Sequence, residues 1–254
     1  MSTLYYSGAG YLYLGARDAL GKPLGLLAIG DTGEFKVTLN TDVEEVQEDQ
    51  TGDRLTALRL QTAKKAGVSM QAKDWSKDNL ATVVYGSALS QGTGTVTNET
   101  LPTPTSINSL YLLGHQNVSS VIITDSTGTP KTLPAGQYTV NGPGGSILLK
   151  DKTTGGAYVE PFKAAYSYAD ASVIPMFTQD AKEYWLRFEG KNTVPGGGRM
   201  IVDLYRLALD PAATLDFITR QVATFPLSGS VLRDDTKVGD PTLGQFGRII
   251  QVAV

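Results

Sequence analysis

The chain has 254 residues, with 22 Lys and Arg against 25 Asp and Glu, a formal net charge of −3, one His and no Cys. That length can bury a sizeable core, as one large domain or two smaller ones, and the absence of thiols excludes disulfides, thiolate nucleophiles and zinc–thiolate sites. At 41% hydrophobic and 19% charged residues the chain is too apolar for a disordered tail, and its mild acidity argues against gripping nucleic acid through phosphates.

The start, Met1 to Tyr6, has no basic segment followed by an apolar one, so no secretory leader is expected there. No apolar run reaches the roughly 18 residues of a membrane span. Gly10–Ala16 is the first strand candidate. From Glu34 to Glu44, Phe35, Val37, Leu39 and Val43 alternate with Glu34, Lys36, Thr38, Asn40, Asp42 and Glu44, predicting a long strand with one dry and one wet face. The acidic run from Asp42 to Asp53 has no base until Arg54. Its spacing does not match a calcium-binding loop, which leaves a solvated hairpin tip or a negative surface that repels or lubricates a polyanion while positive groups elsewhere join subunits. Val68, Met70 and Ala72 alternate with Ser69, Gln71 and Lys73 as another strand. Asp74 or Ser76 then caps a helix over Ser76–Tyr85 that stops at Gly86, with Leu80, Val83 and Val84 inward.

Composition changes between about Ser87 and Ala171. Gln91–Thr97 reads as a flexible polar run, and Leu101-Pro102-Thr103-Pro104-Thr105 is too proline-rich for a central strand. Short strands are expected at Ser120–Thr124, Gln137–Val140, Ser146–Leu149 and Lys163–Tyr168, separated by Gly- and Pro-rich turns. Two organisations fit: a small inserted β module over 103–171, or one elaborate hairpin excursion of a single domain. His115, in a turn-like stretch, reads as an exposed loop residue without a catalytic partner nearby. The Asn98 and Asn117 matches to the glycosylation pattern read as chance.

Beyond the insertion, Tyr184, Leu186 and Phe188 alternate with Trp185, Arg187 and Glu189. Gly196-Gly197-Gly198 lies between strands, not ahead of a helix, so it reads as a connection and not a phosphate cradle. Gly21-Lys22-Pro23 fails as a cradle too, because Pro23 has no N–H. Strands are expected at Met200–Leu209, Val222–Leu232 and Phe246–Val254. A second short helix is expected at Pro211–Thr219, capped by Asp210, with Leu215 and Ile218 inward. The whole reads as mainly β, and its long half-apolar strands need their edges covered, by closing a barrel or by strands from other subunits.

Four stretches, in this order, resemble the major tail (tail tube) proteins of long, non-contractile-tailed bacteriophages. They are Gly33-Glu34-Phe35-Lys36-Val37-Thr38-Leu39-Asn40-Thr41-Asp42-Val43-Glu44-Glu45; the strand-to-helix run from Val68 through Asp74-Trp75-Ser76 to Tyr85-Gly86; Arg187-Phe188-Glu189-Gly190-Lys191-Asn192 with Val202-Asp203-Leu204-Tyr205-Arg206 after a Gly loop; and Phe225-Pro226-Leu227-Ser228-Gly229-Ser230-Val231-Leu232. The resemblance implies two packed antiparallel sheets, a β-sandwich or barrel-like fold, with a flanking α-helix. It also implies six-fold rings with a continuous inner β-barrel, stacked into a hollow virion tube assembled in the host bacterial cytoplasm. The tube domain would comprise 1–102 and 172–254, with the 103–171 module on the outside.

The implied function is structural, without catalysis or cofactor. The implied partners are sister subunits, a tape measure protein in the lumen, tail terminator and distal tail or baseplate proteins, and phage DNA that passes without tight binding. Lumen-lining candidates are Glu34, Thr38, Asn40, Asp42, Glu44, Ser69 and Gln71. The inter-ring loop would be about Glu45–Arg54, through Glu45, Glu48, Asp49, Asp53 and Arg54. Lys36 and Lys73 are candidates for pairing with acids of a neighbouring subunit. Met1–Gly8 and the acidic loop are expected to be unordered in the lone subunit. Two other readings stay open. One is a virion decoration or adhesin module that uses Tyr158, Phe162, Tyr166 and Tyr168 as an exposed platform. The other is a hydrolase with two carboxylates about 5 to 10 Å apart.

Overall fold

The structure is a computed structural model and describes residues 5–252. Met1–Leu4 of the expected N-terminal arm and Ala253–Val254 of the last expected strand lie outside the described residues. In chain order the elements are β1 (Gly8–Ala16), β2 (Leu27–Ala28), β3 (Thr32–Gln47), β4 (Thr56–Ala72), α1 (Lys77–Val83), β5 (Leu89–Ser90), β6 (Gly94–Thr100), β7 (Ser109–Leu112), β8 (Val118–Thr124), β9 (Tyr138–Asn141), β10 (Ser146–Leu149), β11 (Lys163–Tyr168), β12 (Ser172–Val173), β13 (Glu183–Asn192), β14 (Arg199–Leu209), β15 (Phe225–Val231) and β16 (Gly247–Val252). The chain is mainly β, with antiparallel sheets and one α-helix among the described residues. It divides into two units, one running to Ser87 and resuming at Ile174, the other spanning Ala88–Val173.

The first unit is one eight-stranded sheet in the order β2-β1-β13-β14-β15-β4-β3. It branches at β14, which is long enough to have two neighbours on one edge. Arg199–Leu204 pairs with β16 and Leu207–Leu209 pairs with β15, while β13 occupies the other edge. The wing of β1, β13, β14 and β16 and the wing of β15, β4 and β3 enclose a single core of Leu186, Leu207, Phe225, Met70 and Ala72. Phe35 of β3 meets Phe188 of β13 across that core, ring centres 5.4 Å apart. Alternation explains the arrangement: inward residues of both wings are apolar, while the outward ones are mostly polar at the root of β3 and β4 and mixed, with Tyr11, Tyr13 and Ile201, on the β1–β13–β14 wing.

Helix α1 closes one end of the core with Ala81 and Val83 buried. It is shorter than expected. Ser76 sits at the cap position without a side-chain bond, and Asp74 Oδ1 instead accepts the Ser76 N–H at 3.1 Å. At the other end the left-handed residue is Tyr85 (φ 52°), not Gly86. The Gly86 N–H reaches Ala81 O at 2.8 Å, so the helix ends in a Schellman turn one residue earlier than the glycine suggests. Trp75, just before the helix, donates Nε1–H to Ala223 O at 3.0 Å and stands edge-on to Phe225.

The expected helix over Pro211–Thr219 does not form. Those residues are irregular, with Leu215 packed on the core but Ile218 99% exposed. Asp210 N–H bonds Ser228 O and Ala212 N–H bonds Val83 O, which docks the start of the segment on β15 and α1.

The second unit has two three-stranded sheets, β6-β11-β8 and β7-β10-β9, and the short β5–β12 pair. Phe162, Ile123, Leu133 and Ile147 form its core. The Gln91–Thr97 run, expected to be flexible, instead enters β6, because β11 supplies a ladder from Lys163 to Tyr168. This unit therefore begins earlier than the proline run at 102–104. β7 had no alternation strong enough to mark it. Asp125, fully buried, accepts the Lys131 N–H and the Thr127 hydroxyl and fixes the turn between them.

Candidate assembly surface

The register places the lumen candidates on one face. Glu34 lies opposite Gln71, Lys36 opposite Ser69, Thr38 opposite Gly67, Asn40 opposite Lys65 and Asp42 opposite Ala63. On the other side of β4, Gln71 faces Pro226, Ser69 faces Ser228 and Gly67 faces Ser230. Paired residues share a face, so Glu34, Thr38, Asn40, Asp42, Ser69 and Gln71 stand together on a small-residue, polar, outward surface. Its lysines are neutralised within the chain: Lys36 Nζ lies 2.6 Å from Glu34 and Lys65 Nζ 2.6 Å from Asp42. Lys36 and Lys73, expected to reach a neighbouring subunit, both meet acids of their own chain, Lys73 binding Asp31 at 3.0 Å. Glu34 and Lys36 lie two apart on β3, and the β3–β4 register brings Asp42 to Lys65 and Asp31 to Lys73.

β3 and β4 continue as a ribbon beyond this sheet. β15 covers β4 only from Ala66 to Ala72. From Lys65 to Thr56, β4 pairs with β3 alone, a projection of roughly 30 Å at about 3.3 Å per residue. The dry face expected along Glu34–Glu44 is covered only at the root: Phe35 packs on the core, while Val37 is 38% and Leu39 75% exposed. Bulges between Asp42 and Val43 and between Val46 and Gln47 interrupt the ladder and bend such ribbons. Past the first, Glu44 and Val46 lie opposite Leu60 and Leu58, and all three of these apolar residues are exposed.

The tip is a hydrogen-bonded turn. Glu48 Oε2 accepts the N–H groups of Gln50 and Thr51, each at 3.0 Å, and its other oxygen accepts the Thr51 hydroxyl. That hydroxyl is the main reason its carboxyl titrates below the ordinary range. Glu48 N–H closes the loop on Leu55 O at 2.8 Å. Of the loop candidates, Glu48 thus serves the turn and Glu45 faces Arg59 at 3.8 Å. Glu44, Asp49, Asp53 and Arg54 meet no opposite charge among the described residues. Near the N-terminus, the Asn192 side chain donates to Tyr5 O and accepts the Ser7 N–H.

The profile of a family described as "Protein of unknown function UCP028589" matches residues 5–250. The chain belongs to that family. No curated protein matches it.

The aromatic platform of the adhesin reading is not on the surface of the second unit. Phe162 is 1% and Tyr166 4% exposed, and Tyr158 and Tyr168 pack against the same core. His115 is half-buried, a correction to the exposed loop reading. It stacks on Tyr168 at 3.8 Å between ring centres, and its Nδ1 lies 3.1 Å from the Tyr166 hydroxyl. That hydroxyl donates to Glu99, and burial followed by the Glu99 charge pushes it far above the ordinary tyrosine range. The cluster joins β6, β11 and the turn before β8, pairings that local sequence does not reveal. Among the described residues no group of three or more His, Asp or Glu is placed to hold a metal ion. No helix there is long and apolar enough to cross a membrane.

Proposed function

We propose that this protein is a tube-building virion subunit, the major tail protein of a siphophage. In this reading it forms six-fold rings that stack into a hollow conduit for DNA. The observation that carries the reading is the bare β3–β4 ribbon. An isolated two-stranded ribbon is marginal in water, and this one has an unpaired edge along all of β3 and exposes Leu39, Leu55, Leu58 and Leu60. A free edge invites pairing with another chain, and a closed ring of copies removes every such edge at once.

The wet face at the ribbon's root suits a channel wall. Ser69, Ser228, Ser230, Gly67, Thr38 and Asn40 are short and uncharged, and the two lysines are held by acids. Each phosphate a wall neutralises adds salt-dependent affinity and slows a passing polyanion. This wall offers few such grips. The same conduit would hold a tape measure protein before DNA, and would end on terminator and distal tail proteins, within a virion assembled in the bacterial cytoplasm.

The test is electron microscopy of the purified protein beside a variant lacking Glu45–Asp53. The wild-type chain is expected to give rings and tubes, and the deletion folded rings that do not stack. A wild-type protein that stays monomeric at all concentrations and salts overturns the reading. Normal tubes from the deletion overturn the role of the loop.

A further inference from the structure

The opposite wing carries an outward face of different chemistry. Across β1, β13 and β14 the register lines up Ala9 with Lys191 and Arg199, Tyr11 with Glu189 and Ile201, and Tyr13 with Arg187 and Asp203. Between these rows lies an open depression of about 700 Å³, floored by Gly10 and Gly190 and walled by Tyr11, Tyr13, Lys191, Arg199 and Ile201. Gly10 and Gly190 face each other in the register and floor the hollow with backbone alone, their Cβ positions being turned to the other face of the sheet, toward Phe188.

The charges around it are unbalanced. Glu189 also lines the depression, but its carboxylate is taken by Arg187 at 2.7 Å. Arg187 and Arg248 share the buried Asp203. That leaves Lys191 and Arg199, exposed, directly opposite each other and without an acid among the described residues. Like charges directly opposite across two strands repel. An anionic partner removes that cost and gains two charge-assisted contacts.

We propose that this depression receives the acidic hairpin tip of a second copy. The tip has what the depression lacks. Glu44, Asp49 and Asp53 have no cation of their own, and Val46, Leu58 and Leu60 form an exposed apolar patch beside them. Tyr11, 67% exposed, and Ile201 supply the matching apolar wall, and Lys191 with Arg199 supply the charge. Within its own unit the ribbon runs on beyond the last strand that covers it, and the occupant proposed for the depression is the tip of another chain. That the partner is a sister copy rests on the tail-tube reading. Complementary charge sets register and partner choice more than total affinity.

The chain has no cysteine, so engineered ones report cleanly. Gln50→Cys at the tip and Ala9→Cys beside the depression keep every charge in place. The two proteins, made separately, are mixed and oxidised, with Gln50→Cys plus Ser119→Cys in the second unit as control. The expected result is about tenfold more mixed disulfide dimer than the control, because docking raises the local thiol concentration. Adding Lys191→Glu and Arg199→Glu to the Ala9→Cys protein should abolish the excess. Adding Asp49→Lys and Asp53→Lys to the Gln50→Cys protein should then restore it. Cross-linking at the control level while the wild-type protein forms tubes overturns this docking site and leaves the tail-tube reading standing. Strong, charge-dependent cross-linking without rings or tubes supports the docking site and overturns the tail-tube reading. Neither cross-links nor tubes overturns both.

Discussion

The root and the arm of the β3–β4 hairpin are made of similar residues with opposite fates. At the root, Phe35, Val68 and Met70 pack into the core, β15 adds a third strand, and the other wing covers the face, and this cover is already thinning at Val37, which is 38% exposed. Along the arm, Leu39, Val43, Val46, Leu58 and Leu60 are just as apolar and remain exposed. Pattern alone does not decide burial; a third layer does. Apolar side chains kept where one subunit cannot bury them are a cost to the lone chain, and that cost has a use if a second chain covers them.

The contrast breaks most visibly under truncation. Met70→Ala at the root should lower unfolding free energy by about 2–5 kcal/mol, the range for an emptied core position, measured by urea denaturation. Leu60→Ala on the arm should change it by less than about 0.5 kcal/mol, as surface substitutions do. Equal effects would mean that the arm is buried within one chain after all. Next in size is Asp203→Ala. Its carboxylate is buried between Arg187 and Arg248 and ties β16 to β14. Both guanidiniums are about one-third exposed, so the loss should be about 2 kcal/mol, below that of a fully buried pair. Faster hydrogen exchange in Gly247–Val252 would accompany it.

Much of this was legible in the sequence, for a physical reason. Strict alternation at Glu34–Glu44, Val68–Lys73 and Tyr184–Glu189 marks strands because the pleat has a period of two. The grouping of Glu34, Thr38 and Asn40 with Ser69 and Gln71 follows from parity once β3 and β4 pair. The misses come from tertiary partners. Pro211–Thr219 has a good helix start, yet its first residues are docked on β15 and α1 through the Asp210 and Ala212 N–H groups, and Phe217 and Ile218 are left exposed. β6 looked flexible because its partner, β11, lies far along the chain. Lys191 and Arg199 escaped notice because only the register sets them opposite each other. The signal available in sequence was weak: Lys191 sits one strand connection before Arg199, with glycines between.

Acid should separate the sheet's rigid end from the ribbon by a smaller margin. Hydrogen bonds from Arg206 hold the Glu183 carboxyl below its ordinary value of 4.5, with burial opposing and Arg17 adding to the shift. Burial works against the charge of Asp234, but the Thr236 hydroxyl and N–H and the Arg17 guanidinium outweigh it and hold its pKa below 3.8. Both folded values lie below the unfolded ones. The stabilisation is therefore fully present above about pH 4.5 and is lost as pH falls through the lower folded values. Urea midpoints followed from pH 7 to pH 3 should drop in that window, and Glu183→Gln should flatten the drop. A midpoint that rises on acidification would contradict the linkage.

The smallest expected change in stability is the most informative. Leu58→Ser with Leu60→Ser removes apolar surface that the isolated chain already leaves in water, so the urea midpoint should stay within error of wild type. Greasy side chains on the arm also promote non-specific clumping, and their loss alone would make the protein better behaved. Assembly should move the other way. If the patch is covered by a second copy, the polar pair loses that burial at every joint, and light scattering should show a higher concentration threshold for polymer. A variant that is equally stable, more soluble and still polymerises at the wild-type threshold would show that Leu58 and Leu60 are not buried by association, and would leave the contact to the arm's charges, its other apolar residues and the free edge of β3.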